Sequence, residues 1–299
     1  MSANAWPRLW LAGCGYVARR LLQRPPPPGL ADTMLAHARH PHVGLSALAA
    51  PCIAWDLDED TPPSNAPDLD GASVVYSIAP GGDGDRDLRL ARWLAAVRGR
   101  PSRLVYLGTT GVYGDRAGAV CDELTPPAPT QARSRRRVDA ERQLTQWCAA
   151  RGTELTILRL PAIYGPDRLP LERLRRGDPV PDRAPPGFRI HVDDLVDAVL
   201  AALVPAAPPG TYLVLDDSAL SLPEWFDLVA GLAGLARPPR LAPDEAARRL
   251  PAAMRSFYAE DRRLDDRRSR AQLGLTPRYA DPADGVRASL AEMGVDAAH

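Results

Sequence analysis

The sequence contains no lysine; all 37 of its basic residues are arginine. A guanidinium stays protonated at any working pH. The absence therefore excludes a phosphate-loop lysine, a Schiff-base lysine and every mechanism that needs an ammonium group with a tunable pKa. A compositional bias toward Ala, Arg, Pro and Gly accounts for it, and the chemical consequence holds whatever the origin. Cysteine is scarce as well. The four residues at positions 14, 52, 121 and 148 form no CxxC pair, which excludes a zinc cluster or dithiol redox motif of the usual spacing and fits a reduced, cytoplasmic setting. No run of about 18 apolar residues is present. The N-terminus passes from a short polar leader into a strand pattern, so neither a signal peptide nor a membrane anchor is expected. Nor does either sign of charge prevail: 37 acidic residues balance the 37 arginines, leaving no global field to draw nucleic acid or an anionic membrane. Any anion site must be local.

What is present is a chain of 299 residues, 45% hydrophobic and 25% charged, the size of one large domain or a domain and a half. Arg8 to Ala12 (RLWLA) ends in Gly13-Cys14-Gly15, after which Val17, Ala18, Leu21 and Leu22 recur at helical spacing. This reads as strand, tight turn and helix, the helix ended by Pro25 to Pro28. Further strands are predicted at Thr33 to Ala38, Cys52 to Trp55, Ser73 to Ile78, Arg103 to Leu107 and Glu154 to Leu160, with helices at Leu88 to Val97 and Ser134 to Ala150. Such alternation implies a doubly wound α/β fold, a mostly parallel sheet covered on both faces. Beyond Tyr164 a Pro-, Arg- and Asp-rich stretch runs to Gly187. A helix from Val192 to Leu203, a strand from Thr211 to Leu215 and helices at Leu222 to Leu235, Pro243 to Leu250 and Pro282 to Met293 follow. We read a nucleotide-binding domain over residues 1–165 to which 190–216 return. Residues 166–189 and 217–299 form a smaller, mostly helical substrate-binding portion, and the cleft between the two parts is the expected site.

Gly13-x-Gly15-x-x-Ala18 closes a predicted strand and opens a helix, the context in which this spacing carries meaning. The first glycine permits the turn, the second lets backbone N–H groups approach a pyrophosphate, and the small Ala18 lets helix and strand pack closely. The diphosphate would rest on the helix N-terminus, against Tyr16 and Val17. A ribose 2′-hydroxyl is ordinarily held by a carboxylate at the end of the second strand. Here that place is His37-Ala38-Arg39-His40. A guanidinium there forks onto a 2′-phosphate, so NADP(H) is favoured over NAD(H). Asp56, at the end of the third strand, is a candidate acceptor for the adenine amino group.

Several segments resemble the extended branch of the short-chain dehydrogenase/reductase superfamily, the NAD-dependent epimerase/dehydratase group that acts on nucleoside-diphosphate sugars. They are LAGCGYVA (11–18), VVYSIAP (74–80), LVYLGTTGVYGD (104–115), LRLPAIYGP (158–166) and HVDDLVDAVLAAL (191–203), in the family's order. The resemblance implies that Ile78, Ala79 and Pro80 line the cofactor and that Pro161, Ala162 and Ile163 border the nicotinamide. It also implies that Thr109, four residues before Tyr113, supplies the active-site hydroxyl, with Thr110, Tyr113, Arg133 and Tyr164 as candidate substrate contacts. A homodimer is what the family would lead one to expect.

One feature of the family is missing. Its Tyr and Lys, four residues apart on the helix after the VYG segment and usually followed by a Glu, fall by counting back from Glu141 on Arg133 and Arg137. Arg137 retains the fixed cation that can hold the nicotinamide ribose, but it cannot shuttle a proton. Among neighbouring features, Arg133, Arg135, Arg136 and Arg142 read as a solvated helix face. Tyr76, Tyr113 and Tyr164 read as packed aromatics, and Asp193 or Asp194 as the cap of the helix through Leu203 rather than part of a metal site with His191. Arg262, Arg263, Arg267, Arg268 and Arg270 alternate with Asp261, Asp265 and Asp266 and are expected to pair with them. Two functions stay open: an NADP(H)-dependent oxidoreductase acting on a carbonyl or alcohol of a small molecule such as a nucleotide sugar, and an NADP(H)-binding sensor without turnover.

Overall fold

The computed structural model describes residues 8–24, 34–39, 52–59, 61–250, 255 and 260–295. Its strands in chain order are β1 (Leu9–Ala12), β2 (Met34–Ala38), β3 (Cys52–Ala54), β4 (Ser73–Tyr76), β5 (Arg103–Leu107), β6 (Val120–Cys121) and β7 (Glu154–Arg159). They continue with β8 (Ala162–Tyr164), β9 (Val180–Pro181), β10 (Arg189–His191), β11 (Gly210–Leu213), β12 (Arg240–Leu241) and β13 (Arg263–Leu264). The helices are α1 (Tyr16–Gln23), α2 (Leu88–Ala96), α3 (Ala132–Arg151), α4 (Leu171–Arg175) and α5 (Val192–Leu203), then α6 (Leu222–Leu232), α7 (Pro243–Arg249), α8 (Arg267–Leu273) and α9 (Pro282–Glu292). Pro25 to Pro28, Thr33 and His40 lie outside the described residues.

Seven strands form one sheet in the order β11-β7-β5-β4-β1-β2-β3. The pairs β3–β2, β2–β1, β1–β4, β4–β5 and β5–β7 are all parallel. Every residue of β1, β4 and β5 is buried, which is why these segments are apolar runs rather than alternating ones. The chain starts in the middle of the sheet, works outward through β2 and β3, then returns to the other side of β1 with β4. Strand order therefore reverses between β1 and β4, and in sheets of this topology the crevice at that reversal is where ligands bind. The architecture is the doubly wound α/β Rossmann type.

The chain divides into two compact units: Met1–Val112, Pro129–Arg159 and Val196–Tyr212 in the first, and Tyr113–Ala128, Leu160–Leu195 and Leu213–His299 in the second. The first unit is interrupted after Val112 and again after Arg159, and the strand that follows Arg159, β8, pairs with β10. In the first unit one face of the sheet packs on an aromatic cluster. Tyr76 meets Trp93 edge-on at 5.2 Å between ring centroids, and Trp93 lies 6.3 Å from Trp147. Helix α3 ends at Gly152 in the left-handed region, φ 63°, whose N–H returns to the helix's last carbonyls. In the second unit Tyr164, Trp225, Phe226, Val229, Val286 and Leu290 form a separate core.

One sequence expectation holds here and another changes. The Arg- and Asp-rich stretch pairs as expected, Arg267 with Asp265 at 2.5 Å and Arg270 with Asp266 at 2.8 Å. It carries α8, whose Ser269 gives its N–H to the buried Glu123 carboxylate at 3.0 Å, while the Leu213 N–H donates to the Ser269 hydroxyl at 2.7 Å. Neither Asp193 nor Asp194 caps α5. The helix already begins at Val192, so both lie inside its first turn, and the preceding His191 takes the capping place by accepting the Asp193 N–H on Nδ1 at 3.1 Å. Asp194 instead accepts the N–H groups of Arg278 and Tyr279, at 2.7 and 3.0 Å.

Candidate functional site

At the strand-order reversal, the end of β1 and the end of β4 interlock. Gly13 has φ +96°, where an L side chain is strained, and a Cβ there would lie 2.8 Å from Ile78 Cγ1 and 2.9 Å from Ser77 Oγ. Ser77 locks the corner: its hydroxyl donates to the Gly13 carbonyl at 2.9 Å and its N–H to the Ala12 carbonyl at 2.8 Å. Gly13 is thus required by the protein itself. Gly15 is not: its φ is −77°, and a Cβ there would meet nothing within 4 Å. It is the N-cap of α1, gives no side-chain cap to that helix, and is followed by a first turn free of acidic residues. Tyr16, Val17 and Ala18 form the first turn of α1, beside an exposed glycine. An anion fits a helix N-terminus because the first N–H groups of a helix have no acceptor within the helix itself and act together with its dipole. Cys14, between the glycines, is buried, and burial pushes its thiol up to about 12, which leaves it inert at neutral pH.

Arg39, at the end of β2, reaches two carboxylates: Nη2 lies 2.6 Å from Asp58 Oδ2 and Nε 3.2 Å from Asp56 Oδ1. Asp56 Oδ1 also accepts the Asp58 N–H at 2.9 Å, closing a tight turn after β3. Arg89, in the first turn of α2, forks onto Asp58 with two bonds of 2.6 Å and donates from Nη1 to the Ala79 carbonyl at 3.1 Å. This pairing, with Arg89 as the largest contributor, holds the Asp58 carboxyl below the usual carboxylate range. Ile78 and Pro80 are half-buried and Ala79 is exposed.

The C-terminal end of β5 carries the other group of candidate residues. Thr109 is half-buried and its Oγ1 accepts the Gly111 N–H at 3.1 Å, capping the turn Thr110–Tyr113, while Thr110 is buried. Arg137, half-buried on α3, donates from Nη1 to the Tyr106 hydroxyl at 3.1 Å and to the Leu107 carbonyl at 3.2 Å, so its guanidinium sits at the strand end two residues before Thr109. Glu141, one turn further, is buried and receives Arg159 through two bonds, 3.1 Å from Nε and 2.8 Å from Nη2. Arg133 is half-buried in the first turn of α3. Its neighbours Arg135 and Arg136 are tied to the β4–α2 loop, through Asp85 at 2.7 Å and the Gly84 carbonyl at 2.8 Å, rather than simply solvated. Ser134, buried, crowds Gly111, where a Cβ would lie 3.0 Å from its hydroxyl.

The remaining candidates belong to the second unit. Tyr113 is fully buried and its hydroxyl donates to the Asp122 carbonyl at 2.7 Å. Tyr164 is buried in β8 against Gly285, and its hydroxyl has no hydrogen-bond partner among the described residues. Burial raises its pKa above that of free tyrosine, as it does for Tyr76 in the first unit, while Tyr106 is pushed up to about 12. None of the Tyr76, Tyr106 and Tyr164 phenols has the lowered pKa a general acid-base tyrosine needs. Pro161, Ala162 and Ile163 form or flank β8. Sequence reasoning missed Ser77, Asp58 and Arg89. Ser77 stood inside the VVYSIAP segment, but nothing in the spacing joins Arg39, Asp58 and Arg89 across 50 residues.

Residues 86–179 match the NAD dependent epimerase/dehydratase family. A conserved protein of unknown function from Silicibacter pomeroyi DSS has a solved structure 33% identical to this chain, with a TM-score of 0.77 over 96% of this chain and 99% of that one. The chain belongs to the NAD-dependent epimerase/dehydratase family. The curated Escherichia coli (strain K12) protein YeeZ is 32% identical over 120 residues, 40% of this chain and 41% of that protein, so the match spans less than half of that relative's length. MoeE5, solved in complex with UDP-glucose and NAD, shares the fold at 22% identity, with a TM-score of 0.73 over 95% of this chain and 98% of that one. Among the described residues no helix is long and apolar enough to cross a membrane.

Proposed function

We propose that this family member binds NADP(H) in the crevice between β1 and β4 and acts as an oxidoreductase on a carbonyl or alcohol group, with a nucleotide sugar as the substrate class. The observation that carries the reading is Gly15. The fold does not need a glycine there, since its φ is negative and a Cβ would touch no protein atom. A ligand's close approach does need one. The nucleotide-sugar class rests on family membership and on what MoeE5 holds in its solved structure. The preference for a 2′-phosphate rests on Arg39.

The residues present fit such a cofactor. Gly13 and Ser77 hold the corner in shape, the α1 terminus would hold the diphosphate through Tyr16, Val17 and Ala18, and Arg39 would fork onto the 2′-phosphate. A bound nicotinamide would supply the hydride chemistry. Thr109 already accepts the Gly111 N–H, which orients its oxygen and leaves the hydroxyl proton to polarise a substrate oxygen. Arg137 keeps a fixed positive charge at the end of β5. Proton delivery falls to solvent, since Tyr113 is committed to a carbonyl and Tyr76 and Tyr164 are buried.

The buried phenols and the arginines at 133 and 137 also favour a second reading, a sensor that binds NADP(H) without turnover. Thr109→Val separates the two. In the enzyme it lowers turnover on a responsive nucleotide sugar about 100-fold with NADPH affinity within a few fold. A protein that binds NADPH but turns over no member of a nucleotide-sugar panel is the sensor. Arg39→Asp should move preference from NADPH toward NADH, and unchanged discrimination would remove Arg39 from the reading.

A further inference from the structure

We propose that Asp58 and Arg89 form a counter-ion latch that sets how strongly Arg39 selects a 2′-phosphorylated dinucleotide, with Asp58 opposing the phosphate and Arg89 restraining Asp58. The inference rests on the NADP(H) reading above. Two of the three nitrogens of the Arg39 guanidinium face carboxylates, Nη2 with Asp58 at 2.6 Å and Nε with Asp56 at 3.2 Å. A phosphate that forks onto this Nε–Nη2 edge must displace at least one of them. Asp58 can let go without being left unpaired, because Arg89 already forks onto both of its oxygens at 2.6 Å. Arg89 is itself fixed in place. Its third arm bonds the Ala79 carbonyl, and its side chain lies so close over Gly81 that a Cβ there would fall 2.7 Å from it. A chain of charge-assisted bonds thus runs from the end of β2 to the loop after β4.

The charges decide the direction. Within the group Arg39 and Arg89 are balanced by Asp56 and Asp58, while the Arg92 guanidinium, 2.9 Å from the Leu57 carbonyl and 3.3 Å from the Asp58 carbonyl, adds a fixed positive charge behind them; at Arg39 itself, Asp58 repels a dianion. A hydroxyl in the phosphate's place is not repelled and can donate to a carboxylate there. Removing the Asp58 charge frees Arg39 and turns the group net positive. Removing Arg89 leaves Asp58 with Arg39 as its sole guanidinium partner among these four and tightens the competition. Asp58 is a positioning residue for specificity, not a catalytic one.

The test is the ratio of NADH to NADPH dissociation constants, measured by cofactor fluorescence at low salt on the full chain. The ratio cancels any general loosening of the loop. Asp58→Asn should raise it about 5-fold and Arg89→Gln should lower it by a similar factor, the scale of exposed charge pairs. Asp58→Glu should restore the wild-type value, and at about 1 M salt both shifts should collapse, because the Debye length falls to about 3 Å. A purely structural role for Asp58 would move neither the ratio nor its salt dependence. If Arg39→Ala removes the preference for NADPH while Asp58→Asn and Arg89→Gln leave the ratio unchanged, the latch is wrong and the cofactor reading stands. If wild-type protein binds neither dinucleotide, the cofactor reading fails and the latch with it. Asp58 is exposed, so its variants are expected to fold, and a melt of each confirms that the ratios compare folded proteins.

Discussion

Two corners of the same sheet, the β1–α1 turn and the end of β5 against α3, treat their polar groups in opposite ways. At β1–α1 the protein secures the turn from behind, through Ser77 and Gly13, and presents the exposed Gly15, which gives no side-chain cap, at the head of α1. At β5–α3 the polar groups turn inward: Thr109 caps its own turn, Arg137 bonds Tyr106 and Leu107, and Glu141 holds Arg159 in a buried pair. On the reading proposed above, the first corner serves a ligand, while the second carries Arg133 and Arg137 at the positions where the family resemblance implies an acid-base pair.

That contrast can be broken by mutation. The largest effect should come from the inward-facing corner: Glu141→Leu strands the Arg159 charge in the interior and should cost about 3–5 kcal/mol in a denaturant melt. The double variant Glu141→Leu/Arg159→Met should recover most of it. A single variant as stable as wild type would show that the pair is not structural. Next comes Gly13→Ala, which forces an L residue to φ +96° against Ile78 and Ser77 and should cost about 1–3 kcal/mol and weaken NADPH binding as well. Gly15→Ala sharpens the comparison. It should leave stability within about 0.5 kcal/mol of wild type yet weaken NADPH binding by about 10-fold, a split that only a ligand-facing glycine gives. Thr109→Val, which removes the acceptor of the Gly111 N–H, should cost about 1 kcal/mol.

The outward corner was legible in the sequence because its signal is local. RLWLA followed by GCGYVA joins a buried strand, a turn and a helix within eleven residues, and β1, α1 and the glycine placements follow from that stretch alone. Strands β4, β5 and β7 and helix α3 were legible for the same reason, as apolar runs and helical periods long enough to stand out. What the sequence hid was non-local. β8 and β10 are three residues each and exist because they pair with one another across 24 residues of intervening chain. The capping of α5 went to His191 because a ring nitrogen can accept an N–H as an Asp carboxylate does, and residue type alone favoured Asp. The ties of Arg135 and Arg136 to Gly84 and Asp85, like the Arg39–Asp58–Arg89 chain, join segments that only the folded sheet brings together.

The most direct test of the contrast is a thermal melt of wild type and Gly15→Ala, each with NADPH, NADH or no ligand. At 100 times its dissociation constant a ligand adds about 2.7 kcal/mol, roughly 5 °C or more of midpoint shift for a chain of this size. The predicted result is a clear shift of wild type with NADPH, a smaller one with NADH at the same concentration, and about half the wild-type NADPH shift in Gly15→Ala despite an unchanged unliganded midpoint. Wild-type protein that does not shift with either dinucleotide, or a Gly15→Ala variant that shifts as far as wild type, would contradict the claim that the β1–α1 corner is built for this ligand.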